Sequence, residues 1–101
     1  MKSFGDMMKQ AQKVQKQMGE LQEKLGDDRY EASAGGGMVK AVVDGKQILK
    51  ELKIDPKMLA DGDITLIEDL VITAVSDAQN TSAEKMTEAY GKLTGGFKLP
   101  F

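Results

Sequence analysis

Residues 4–25 read FGDMMKQAQKVQKQMGELQEKL, and this stretch decides the architecture. Apolar side chains recur at Phe4, Met7, Ala11, Val14, Met18, Leu21 and Leu25, in alternating steps of three and four. A helix with that rhythm gathers them into one seam, the a and d positions of a heptad, where a partner helix packs. In the same register Lys2, Lys9 and Lys16 stand at f, farthest from the seam, and Lys13 sits beside them at c. One side of the helix therefore seeks a helix, while the other offers spaced positive charge to a polyanion. Gly26 suits a left-handed stop, so a long projecting helix is expected over residues 1–26. Its stretch from about residue 3 to residue 25 alone spans roughly 34 Å, whereas a compact domain of this length has a radius of gyration of about 13 Å. It must stick out or lie against a second subunit, and an oligomer is expected.

From Arg29 onward the period changes to two. Tyr30, Ala32 and Ala34 alternate with Arg29, Glu31 and Ser33, the pattern of a half-buried strand. Gly35-Gly36-Gly37 breaks it with a turn of positive φ, and residues 38–43 form a second strand. Asp44-Gly45 signals a two-residue type I′ hairpin, followed by a third strand over residues 47–54. The β-meander thus occupies residues 29–54. Asp55-Pro56 pairs a capping side chain with proline at the first helical position, opening a short turn over residues 56–60. Asp63 caps a second long helix, 63–93, apolar at Ile67, Leu70, Val71, Ala74, Val75, Ala78, Met86, Ala89 and Tyr90. Its polar middle, residues 77–82, suggests a bend or a solvent-exposed stretch. Gly95-Gly96 stops it before an apolar tail, 95–101. The class is α+β: a single α-β-β-β-α domain with a three-stranded antiparallel sheet and two long helices.

The chemistry on offer is narrow. The chain has no cysteine and no histidine, which removes thiol chemistry and the preferred ligands of zinc, copper and iron. The triple glycine lacks the spacing of a dinucleotide or phosphate-binding loop. Asp27-Asp28, Asp61/Asp63 and Glu68-Asp69 lie at helix ends or on exposed faces, where capping explains them. No enzyme, metal, cofactor or small-molecule substrate is expected. No run approaches the ~20 apolar residues of a membrane span, and no signal peptide is visible, so a cytoplasmic protein without membrane partners is expected.

The formal net charge is −2 and the charge is unevenly placed. Lys2, Lys9, Lys13 and Lys16 face only Asp6 in residues 1–18, whereas residues 61–92 set seven acids against Lys85 and Lys92. Arg29 is the only arginine, which leaves little means for bidentate reading of guanine. Binding to duplex DNA would run through phosphates, fall with salt and discriminate weakly among sequences.

Several segments, in order, resemble the YbaB/EbfC family of bacterial nucleoid-associated proteins. They are Met7-Met8-Lys9-Gln10-Ala11-Gln12, then Ala34-Gly35-Gly36-Gly37-Met38-Val39, Ile54-Asp55-Pro56 through Leu59, Glu68-Asp69-Leu70-Val71 and residues 96–101. The resemblance implies a homodimer whose long helices project like the arms of a tweezer. It further implies a nucleoid location and roles in nucleoid organisation and gene regulation. Carried over by position, Lys9, Lys13 and Lys16 match the basic stretch of the first helix, with Lys85 and Lys92 on the last helix; Lys2 joins these candidate DNA contacts from its own f position. Met7, Ala11, Val14, Met18, Leu21 and Leu25 form the dimer or helix-pairing seam. The competing reading is a protein-interaction module that docks through helix 1 or the C-terminal tail.

Overall fold

The computed structural model describes residues 3–93, with the backbone alone at Asp61. Lys2 and the tail at 95–101 lie outside the described residues. The order is α1 (Phe4–Asp27), β1 (Tyr30–Ala34), β2 (Val39–Val43), β3 (Leu49–Ile54), α2 (Lys57–Asp61) and α3 (Ile64–Leu93). The three strands form one antiparallel sheet in the order β1-β2-β3, the α-β-β-β-α arrangement expected from the sequence.

Alternation along β2 sets the two sides of the sheet. Val39, Ala41 and Val43 are fully buried, while Lys40 points outward. Ile67, Ala74 and Ala78 of α3 close over them, joined by Ala34 of β1 and Met58 of α2. Alanine at 41, 74 and 78 keeps helix and sheet close. The opposite side of the sheet is charged and solvated, with Lys40 at 4.0 Å from Glu31 and Lys53 at 3.1 Å from Glu51. Such exposed pairs contribute little to stability.

The core is lopsided. α3 lies across β1 and β2 and barely touches β3. Leu52, opposite Ala41 on the inner side of the sheet, stays 39% exposed. Ile72 lies on the stripe of α3 that also carries Gln79, whose amide donates to the Gln47 carbonyl in the β2–β3 turn. That stripe therefore flanks β3, and Ile72 is 64% exposed there.

α1 leaves this body as an arm. The molecule measures 69 × 22 × 16 Å with a radius of gyration of 19.3 Å, well above the ~13 Å of a compact chain of this length. Ser3 begins the helix by accepting the Asp6 N–H at 3.2 Å.

Several local expectations are corrected. Gly26 is not the left-handed stop: α1 continues to Asp27 and ends at an extended Asp28. The chain passes directly into β1, so it must be extended there. The Arg29 guanidinium satisfies the Gly26 and Asp28 carbonyls at 2.8 and 2.9 Å. The β2–β3 turn is not type I′ either. It is a three-residue loop, Gly45-Lys46-Gln47, closed by the Asp44 N–H to the Ile48 carbonyl, with Gln47 at φ 64°. Gly45 serves close approach instead, since a Cβ there would lie 2.6 Å from the Leu25 carbonyl oxygen. The triple glycine does adopt positive φ at all three positions, as the turn required. Finally, α3 runs unbroken through its polar middle because Ala78 and Ser82 both face the sheet and are buried.

Candidate nucleic-acid interface

Helical geometry places Lys9, Lys13 and Lys16 within about 60° of one another around α1. All three are exposed, and none has an ion-pair partner among the described residues. Lys9 and Lys16 are separated by roughly 10 Å along the axis. They occupy the outer part of the arm. Nearer the body the same face carries Glu20, Glu23 and Asp27. Lys16 stands about 13 Å and Lys9 about 24 Å along the axis from Leu25. Lys9 stands well beyond the ~8 Å screening length of physiological salt from the acids of the body. Lys16 lies about one turn from Glu20 and nearer Glu88 of α3, so the positive field is strongest toward the tip of the arm.

The other candidate lysines are not gathered with these. Lys85 and Lys92 sit at the foot of the arm, in a cleft that also contains Lys24, Leu21 and Tyr30. Asp28 and Glu88 share that cleft, and Lys85 pairs with Glu88 at 3.7 Å, so its field is mixed. Lys24 was not singled out from the sequence. Its g position beside the seam hid it, and only the approach of α3 gives it neighbours.

The seam lies on the opposite side of α1 from the lysines. Met7, Ala11, Val14 and Met18 line an open apolar groove flanked by Gln10 and Gln15. Phe4 and Met7 are 79% and 60% exposed. Leu21 is half-buried and Leu25 is buried within its own protomer, so the body covers the inner end of the seam.

What aims the arm is a polar knot at its foot that periodicity does not reveal. The Gly45 N–H donates to the Leu25 carbonyl at 2.7 Å, joining α1 to the β2–β3 turn. Buried Asp44 organises that turn, its Oδ1 accepting the N–H groups of Lys46 at 2.8 Å and Ile48 at 3.0 Å. The Ser82 hydroxyl of α3 donates to the Asp44 carbonyl at 2.6 Å, and the Gln47 amide donates to Ser82 Oγ and the Gly45 carbonyl. Burial by itself would push the Asp44 carboxyl up. The N–H groups of Ile48 and Lys46, then the charges of Lys50 and Arg29, outweigh it and hold the carboxyl below its ordinary value.

Comparison with known proteins fits this geometry. The model of the YbaB/EbfC DNA-binding family matches residues 1–97. A nucleoid-associated protein of Moorella thermoacetica is 44% identical over 100 residues, covering 99% of this chain and 96% of its own. One from Desulforamulus reducens is 46% identical over 98 residues, covering 97% and 93%. The crystal structure of an uncharacterized Helicobacter pylori protein shares the fold, with a TM-score of 0.86 at 23% identity, over 94% of this chain and 100% of that one.

Proposed function

The chain belongs to the YbaB/EbfC DNA-binding family, and from that premise we propose that it acts as a homodimer gripping duplex DNA through lysine–phosphate contacts. Lys9, Lys13 and Lys16 supply the main contacts, with Lys2, Lys85 and Lys92 outlying. The observation that carries this reading is the three exposed lysines on one face of an arm held clear of an acidic body. Point charges on flexible stems suit phosphates and carry little sequence information, so selectivity is low. The protein's place is the nucleoid, with roles in its organisation and in gene regulation.

Dimer formation is read from the lopsided core. Leu52 and Ile72 border the half of the inner sheet that α3 leaves uncovered, and a second copy would complete it. Changing both to glutamate is expected to leave a monomer by sedimentation at micromolar concentration. An unchanged mass would place the dimer contact elsewhere.

Fluorescence anisotropy of a labelled ~25-bp duplex tests the DNA reading. Two arms with three lysines each give a log–log salt slope of about −5, at −0.9 per neutralised phosphate. Absence of binding at low salt would overturn the reading and favour a protein-docking module instead.

A further inference from the structure

The proposed lysine contacts leave the apolar side of α1 uncovered, because seam and lysines lie on opposite sides of the helix. We propose that this seam binds the α1 seam of a second copy, antiparallel, over residues 4–21, and so joins DNA-bound protomers into bridges between duplexes. The bridging half of this inference rests on the DNA-binding reading above; the pairing half does not.

Register and charge select this occupant. With a two-fold axis between Ala11 and Val14, each a residue meets a d residue: Phe4 meets Leu21, Met7 meets Met18 and Ala11 meets Val14. The flanking positions then bring Gln10 to Gln17, Met8 to Gln15 and Ser3 to Lys24, so no like charges meet across the seam. A partner helix of other composition would find no charge there to specify it, whereas a second α1 finds nothing that repels it.

The direction follows from Leu25. Because the body buries this seam residue, it occupies the groove at the arm's foot. Two parallel arms would drive their bodies into that space together. Antiparallel arms put the bodies at opposite ends, and the incoming Phe4 stops at half-buried Leu21, at the edge of the body and one heptad step short of buried Leu25. Pairing also turns the two lysine faces in opposite directions, each toward its own duplex. About two and a half heptads make a weak coiled coil. Simultaneous pairing of two arms would raise its effective strength.

The absence of cysteine makes the register directly measurable. A Met7→Cys chain mixed with a Met18→Cys chain should give a mixed cross-linked pair with a short thiol-reactive linker. Either variant alone should give little. In parallel, the combined variant Met7→Gln, Val14→Gln, Met18→Gln, which alters no charge, should halve the mass of the largest sedimenting species. Its melting temperature should stay that of the parent, since these residues lie outside the core. A bead-bound duplex should capture a second, labelled duplex with the parent protein and at least tenfold less with the glutamine variant, while single-duplex affinity changes less than twofold. Cross-links between two Met7→Cys chains, no mixed cross-link between the two variants, or an unchanged sedimenting mass would each overturn the pairing. Normal cross-linking and mass change with no binding of any duplex would sink the DNA reading and leave the pairing standing.

Discussion

Replacing Lys9 and Lys16 together by glutamate is expected to weaken duplex binding by two orders of magnitude or more at low salt, with the fold unchanged. In a dimer the double variant removes four of six principal phosphate contacts, so the log–log salt slope should fall from about −5 to about −2. The slope is the more telling readout. Loss of counterion release changes it, whereas partial unfolding lowers the active fraction and leaves it alone. Both side chains point into solvent from the outer arm, so circular dichroism and melting temperature should match the parent. Lys85→Glu should do far less, because Lys85 already faces Glu88 in a mixed field. A larger loss from the foot variant than from the arm variant would place the DNA at the foot of the arm instead.

The second large effect is expected at Asp44. Asp44→Ala orphans the N–H groups of Lys46 and Ile48 in a turn packed beneath α1 and α3. The two donors are only partly buried, so each costs toward the lower end of the ~1–3 kcal/mol of an unpaired buried donor, and a loss of about 2 kcal/mol is expected, still a large share of a small domain's stability. Asp44→Asn keeps an acceptor oxygen and should lose about 1 kcal/mol at neutral pH. The two variants also separate by pH. The carboxyl is held below its ordinary value when folded, so its ionised form stabilises the fold above the ordinary carboxylate range. That contribution fades as pH falls below about 4 toward the folded value. Thermal melts of the parent between pH 6 and 2.5 should therefore show a steeper loss than those of Asp44→Asn. Parallel curves would mean that other carboxylates govern acid unfolding.

Much of this molecule was legible from local pattern. The steps of three and four in residues 4–25, the alternation around β2 and the capping Asp63 follow from the periods of helix and strand. The backbone imposes those periods on any stretch of chain. Asp63 Oδ1 accepts the Leu66 N–H at 3.0 Å, as its place before the apolar run required. The lysine face of α1 was equally readable, since one helix fixes it.

The contacts between distant segments were not readable. Asp44-Gly45 announced a turn, but its type was settled by Leu25, whose backbone lies too close for any side chain at position 45. The polar stretch around Ser82 looked like a bend because nothing in its vicinity shows a partner. The Asp44 carbonyl, 38 positions earlier, is that partner and makes burial of the hydroxyl favourable. Likewise the heptad seam was visible as a whole, while its division into a covered end at Leu25 and an open run toward Phe4 was not. By itself the sequence determined the elements and which faces are apolar or charged, because these depend on neighbours three or four residues away. Only the tertiary structure decided which faces are covered and where the arm points, because those depend on which backbones approach closely enough to exclude water.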